Sequence, residues 1–363
     1  TCNLIWLSLT EKQGIKIFLT LVFNTCQPHS ACDSQMQNFL FNTAEFNRLY
    51  RCDFMNQSEW EKYTIRRPVL GAICLTIGSI NFVTYTLCLI VIRKEALFKN
   101  SCFKIMFLLG LIDIVALTSN SLITGGFMIV GSSYCLQPAF QYFVGALVVG
   151  TWLGDCLTCF ILAFNRCLDF WSPRLSAVLF EGKRTFFWYF VILLYTFYGF
   201  FFTAPTFLNS QAVMWVFDPY ILVPEAVVPI DRTEYNDYVN NWNTFILIPG
   251  MFILYSFLLV SLSITSRGLQ QQFKYQVQIA LQSVMVCMLV FLPGFLFILL
   301  QFIPTPPFVL YLALITLEIG NGSGGVVLLC LNRTIREEVL AMLYKPAEKS
   351  IVVVTVIQTA FSK

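Results

Sequence analysis

The sequence predicts an all-α membrane protein: a bundle of seven transmembrane helices, N-terminus outside, with a short amphipathic helix after the seventh. Three observations carry that expectation. Of the 363 residues 57% are apolar and only 12% charged, with a mean hydropathy of +0.71, whereas a soluble domain runs near a quarter charged. Seven apolar runs after residue 67 are long enough to cross a hydrocarbon core about 30 Å thick. Cations gather in every second connection between those runs.

The runs are Pro68–Ile92, Cys102–Val130, Pro138–Phe164, Thr185–Pro205, Trp242–Thr265, Val277–Ile303 and Phe308–Leu331. Continuous apolar stretches of this length exclude barrel strands, which would alternate. The connection after the first run carries Arg93, Lys94, Lys99 and Lys104, and that after the third carries Arg166, Arg174, Lys183 and Arg184. Arg267 and Lys274 follow the fifth run, and Arg333, Arg336, Lys345, Lys349 and Lys363 follow the seventh. The intervening connections hold only Arg232, and Phe207–Asn241 holds Asp218, Glu225, Asp231, Glu234 and Asp237. Positive charge stays inside, so the N-terminus lies outside and the C-terminus inside. Arg66 and Arg67, at the outer end of the first run, are the one local exception.

This organisation divides the chain into an extracellular segment 1–67, a membrane domain 68–331, and a cytoplasmic amphipathic helix and tail 332–363. Residues 15–23 are apolar, follow Lys12 and Lys16, and have the length of a signal-peptide core without a clear cleavage site. Thr1 stands where Met would, so the chain reads as a fragment or an incomplete gene model. Asn56-Gln57-Ser58 is a glycosylation acceptor, which acts only outside the cell. Pro304-Thr305-Pro306-Pro307 makes a stiff outer turn. In 332–343, Ile335, Val339, Leu340, Met342 and Leu343 fall near one helical face, as expected of a helix lying along the inner membrane surface.

The net charge of +3 is scattered, which excludes a nucleic-acid-binding face. One His (His29), no Ser/His/Asp or Cys/His grouping, no phosphate loop and no metal-ligand spacing argue against an enzyme and against a metal site. Cys156 and Cys159, at Cys-x-x-Cys spacing on a lipid-embedded run, read as core packing. Cys135 faces the oxidising side, with Cys26, Cys32 and Cys52 as possible partners, and Cys52, nearest the first run, is the preferred one.

Buried charge is the main functional signal. A charged group at the bilayer centre costs at least about 2.5–3.5 kcal/mol, so each is a functional-site hypothesis. Asp113 lies 11 residues from the inner end of the second run, Asp155 11 residues before Arg166, and Glu318 10 residues from the outer end of the seventh. At 1.5 Å per residue all three reach one central layer, roughly 15–17 Å deep, with Asn81 and Asn321 close to it. Three carboxylates cannot all stay charged there without a cation, so the layer either holds protons or shares a sodium ion. It then acts as a polar switch between two helix arrangements, or else as static interhelical glue. Asn165 and Arg166 end the third run, where the guanidinium either locks the cytoplasmic side or is an ordinary inner cation. Pro249 and Pro293 should kink the fifth and sixth helices.

Seven helices in this orientation, an Arg closing the third and a short helix after the seventh look like a G protein-coupled receptor. Longer strings narrow the resemblance: Arg67-Pro68-Val69-Leu70-Gly71, Leu111-Ile112-Asp113-Ile114, Ala163-Phe164-Asn165-Arg166-Cys167-Leu168-Asp169, Leu179-Phe180-Glu181-Gly182-Lys183-Arg184-Thr185 and Leu331-Asn332-Arg333-Thr334-Ile335-Arg336. With Phe217-Asp218-Pro219-Tyr220 and Phe302-Ile303-Pro304-Thr305-Pro306-Pro307, these strings resemble nematode serpentine receptor class T, in the gamma superfamily of chemosensory receptors. The resemblance implies a plasma-membrane chemoreceptor on sensory neuron cilia, binding a small external molecule and signalling to a heterotrimeric G protein. It departs from rhodopsin-like receptors where Asn165-Arg166-Cys167 replaces the acid–Arg–aromatic triplet. It also lacks a Cys in Phe207–Asn241, so that Cys135 pairing with the N-terminal segment would replace the usual bridge. Tyr142, Phe143, Trp242 and Asn243 are chosen by depth and polarity as walls of a ligand site open to the outside. Two other readings remain: a seven-helix ligand-gated odorant channel, with the opposite orientation, and an ion-coupled secondary transporter, for which the halves show no repeat.

Overall fold

The structure, a computed structural model, describes residues 43–265, 271–302 and 307–344. The signal-like stretch 15–23, Cys26, Cys32, Arg267, the Pro304–Pro306 part of the outer turn and the tail lysines lie outside the described residues.

The spanning helices are α1 (Pro68–Ile92), α2 (Ser101–Val130), α3 (Pro138–Trp171), α4 (Thr185–Phe202), α5 (Tyr238–Thr265) and α6 (Gln271–Phe302). The seventh, α7, is two halves, Pro307–Gly320 and Ser323–Leu331, and α8 is Arg333–Tyr344. Local chemistry sets several starts. Pro68 and Pro138 stand at the first positions of α1 and α3, where a missing N–H costs nothing. The Asn100 side chain accepts the Cys102 amide at 2.9 Å and caps α2.

The bundle is built around α3, which packs on α2, α4, α5 and α6. Of its spanning window 78% is buried, against 17% for α4, the most open of α1 to α6 among the described residues. α3 also runs past the expected end at Phe164 to Trp171, so Arg166 lies within the helix rather than closing it. A short helix, Pro173–Phe180, follows at once. Two further departures concern backbone regularity. α2 contains a π-helical turn at Thr118–Ile123, a form that occurs mostly as single turns near functional sites. α7 bends by 56° between its halves, at the Gly320-Asn321-Gly322 stretch.

The connection Phe207–Asn241, expected as an acidic loop, is a folded cap. Strands β1 (Phe207–Asn209) and β2 (Met214–Val216) form an antiparallel hairpin. Gln141 of α3 pins it by accepting the Leu208 amide at 2.9 Å and donating to the Leu208 carbonyl at 3.1 Å. The Trp215 indole donates to Thr124 of α2 at 3.0 Å. Leu208, Val213 and Trp215 pack with Leu70, Cys74, Met128, Val148 and Leu314, so the hairpin fills the outer mouth of the bundle. Arg67, the local exception to the charge pattern, donates to the Ser210 carbonyl at 2.9 Å and to the Tyr311 hydroxyl, tying α1 to hairpin and α7. The N-terminal helix Thr43–Tyr50 lies against this cap, and a Cys52–Cys135 disulfide joins it to the segment preceding α3. Exposed Asn56 precedes a helical turn at Gln57–Trp60.

At the inner end, α8 turns Ile335 and Val339 inward, while Leu340, Met342 and Leu343 stay exposed. Asn332 at the α7–α8 joint donates to Gln282 of α6 at 3.2 Å, and Lys94 pairs with Glu338.

Candidate functional site

Asp113, Asp155 and Glu318 are all buried, but they do not form one cluster. Asp113 of α2 is hydrogen-bonded to the Tyr85 hydroxyl of α1, and Asp155 of α3 is close enough to Asp113 and to Cys287 of α6 to interact with them electrostatically. Tyr85 is wedged in a slot of small residues: an added Cβ on Gly110 would come within 2.8 Å of its ring, and one on Gly324 within 2.7 Å of its hydroxyl. Glu318 stands apart, between the π-turn of α2 and α1. Ser121 donates to its Oε2, and the Cys74 thiol bonds the same carboxyl group. Asn81 lies against the α7 bend, where a Cβ on Gly322 would meet its own at 2.7 Å. Asn321 is buried at the same bend.

The expected single layer is thus corrected to two stations, an Asp113–Asp155–Tyr85 station and a Glu318–Ser121–Cys74 station. Glu318 accepts from Ser121, which lies roughly 12 Å outward of Asp113 along α2; counting from the ends of apolar runs does not fix depth where a helix bends, as α7 does. Among the described residues, Asp113 Oδ1, Asp155 Oδ1 and Glu318 Oε1 have no protein hydrogen-bond partner. No three His, Cys, Asp or Glu side chains there converge as a metal centre requires.

The inner assembly is connected more tightly. Arg166 is buried and donates from Nη2 to Asn165 Oδ1 at 2.6 Å and to Asp169 Oδ2. Asn165 Nδ2 donates to Ser101 of α2 at 3.2 Å, and the Ser176 hydroxyl of the short helix donates to Asp169 Oδ1. Asp169 sits one turn beyond Arg166, on the same face. Beside this group, the Lys104 ammonium donates to the Gly182 carbonyl at 2.7 Å and holds the second inner loop onto α2.

The four residues chosen as ligand walls separate. Tyr142 is buried beneath the N-terminal helix, and Asn243 accepts the Tyr195 hydroxyl at 3.2 Å inside the α3–α4–α5 contact. Phe143 and Trp242, 51% and 57% exposed, turn away from the bundle interior and are corrected to outward-facing positions. Polarity and depth alone do not fix helix rotation, and an aromatic ring suits lipid as well as a pocket. Tyr85, Ser121, Asp169 and Ser176 went unnoticed in the sequence. The i, i+3 spacing of Arg166 and Asp169 was the readable signal for one of them.

Six long apolar helices with a bent seventh, a buried polar interior and a buried guanidinium at one end define the class as a seven-helix membrane protein. Comparison with known sequences narrows this. The family described as "Serpentine type 7TM GPCR chemoreceptor Srt" matches residues 34–351, and the chain belongs to that family. It is similar to serpentine receptor class T-55 of Caenorhabditis elegans, at 24% identity over 319 residues, which cover 87% of this chain and 86% of the relative. It is accordingly a multi-pass membrane protein of a chemoreceptor family.

Proposed function

We propose that this chain is a chemosensory receptor of the plasma membrane, at the cilia of sensory neurons, that binds a small external chemical and signals to a heterotrimeric G protein. The observation that carries this reading is the Arg166 assembly. One carboxylate, Asp169, holds both the buried guanidinium and the Ser176 hydroxyl of the short inner helix. Releasing that carboxylate frees a cation and a loop together at the inner face, which is where a cytoplasmic partner docks.

The trigger lies deeper. Asp113 and Asp155 are both buried and interact electrostatically, and two coupled carboxylates in a low-dielectric interior cannot both be ionised without a counter-charge. Moving a proton or a sodium ion on or off this pair changes the charge held between α2 and α3. Asn81 and Asn321 lie at the α7 bend, and Glu318 forms the separate outer station on Ser121. A ligand acting from outside biases this equilibrium by its differential affinity for the two arrangements.

Asp113→Asn removes the titratable group while keeping its size. At normal surface expression it should shift basal or ligand-driven output of a G protein reporter by several-fold. Unchanged output at equal surface density would eliminate the switch.

A further inference from the structure

Tyr50, at the end of the N-terminal helix, stands in a box of aromatic rings above α3. Its ring centroid lies 5.5 Å from Phe46, 6.1 Å from Tyr134, 5.2 Å from Tyr142, 5.7 Å from Phe207 and 5.8 Å from Tyr235. Those separations fall within the range in which aromatic pairs attract beyond simple burial, and Tyr142 meets Tyr50 edge-on at 85°. Tyr50 is only 3% exposed.

The box also grips the backbone that carries the ring. The Tyr134 hydroxyl donates to the Tyr50 carbonyl at 3.1 Å. Tyr220 donates to the Leu49 carbonyl at 3.0 Å and the Arg51 carbonyl at 2.7 Å, and Tyr235 donates to Leu49 at 2.5 Å. Three consecutive carbonyls are therefore read by three hydroxyls from other parts of the outer surface. Such contacts recognise a ring with acceptor oxygens beside it, and nothing in them requires that both belong to this chain. Flanking anchors keep the segment in place: Arg48 pairs with Glu234 on one side, and Cys52 is bonded to Cys135 on the other.

We propose that this box is a binding site for a phenol-like ring, occupied in cis by Tyr50, and that an external aromatic ligand gains it by displacing the end of the N-terminal helix. That such a ligand is the receptor's signal rests on the function proposed above; the chemistry of the box does not. The tether places Tyr50 at an effective concentration on the order of millimolar, as short linkers do, so a competing molecule must exceed that threshold or bind more tightly. Tyr142 and Ala146 of α3 form the floor of the box, so its occupancy bears on the helix that also carries Asp155 and Arg166.

The test uses the full chain in lipid nanodiscs and p-cresol, the analogue of the tyrosine side chain. In Tyr50→Ala the ring is removed while the backbone acceptors remain. Saturating p-cresol should raise its thermal unfolding midpoint by several degrees and wild type by distinctly less, because there it must first displace Tyr50. Phe190→Ala, which removes a ring 64% exposed on α4, should behave as wild type. No shift in Tyr50→Ala, or the same shift in all three proteins, overturns the proposal. If the alanine variant does not fold, Tyr50→Leu, which keeps some apolar fill, is read by the same criteria. A p-cresol shift accompanied by a silent G protein reporter upholds the box and counts against its occupancy being the signal, so the two ideas fail separately.

Discussion

Asp237 shows how one residue at a helix end can set a pH response. It precedes α5, is buried, and accepts the Asn240 amide at 3.0 Å. Burial pushes its carboxyl up to about 6, while the amides of Val239, Asn240 and Ala204 and the Thr203 hydroxyl pull the other way. The folded protein thus binds this proton more tightly than the unfolded chain, where the group titrates near 4. Stability is highest when the group is protonated, falls as pH rises from about 4 to about 6, and is flat above. The two-unit difference corresponds to roughly 3 kcal/mol. Unfolding midpoints of purified protein across that range should fall with rising pH, and Asp237→Asn, which keeps a capping side chain, should flatten the curve. An unaltered slope in the variant would remove Asp237 as its source. At this scale the sequence was half legible. Cost alone marks Asp113, Asp155 and Glu318 as exceptional, but their division into two stations depends on depth, which the ends of apolar runs fix only loosely for a bent helix. Asp169 was in view in the sequence, yet an apolar-run rule ends α3 at Phe164 and leaves the acid's helical register with Arg166 unread.

Among the elements, α3 and the cap meet more closely than side chains allow. A Cβ on Gly145 would lie 1.7 Å from the Thr206 carbonyl oxygen and 2.8 Å from its carbon. That neighbour is backbone leading into β1, so it cannot rotate aside. Gly145→Ala should therefore push the hairpin off α3, lowering surface delivery severalfold and the unfolding midpoint by several degrees. Wild-type behaviour would mean that the cap tolerates displacement. The spans themselves were legible because apolar run length answers directly to bilayer thickness; the first was located to the residue. The hairpin was not, since its three-residue strands leave no periodicity and its position is fixed by Gln141, 67 residues away. The α7 bend left a trace in Gly320-Asn321-Gly322, but apolar residues on both sides make a continuous run. The π-turn left none that pattern reading detects.

For the whole molecule, orientation is the property on which the functional reading depends. Tags at residue 30 and at the C-terminus, probed on intact and permeabilised cells, should show the first exposed and the second hidden, with Asn56 sensitive to enzymatic deglycosylation. The reverse result would favour the odorant-channel reading. Charge alone carries the expected orientation, because the excess of cations recurs in every second connection. Closure of the outer mouth was not legible, because it comes from contacts between segments far apart in the chain. The Cys52–Cys135 bond is one of these, spanning 83 residues and enclosing both α1 and α2. Its consequence concerns biogenesis. Cys52 reaches the oxidising compartment first and must wait while two helices are threaded through the membrane. Cys135 can share a compartment with Cys52 only when an even number of crossings separates them, so a single failed insertion of α1 or α2 keeps the two thiols on opposite sides of the membrane. The bond therefore ties the pairing of α1 and α2 as crossings to the covalent structure: a chain in which one of them fails to insert cannot close it.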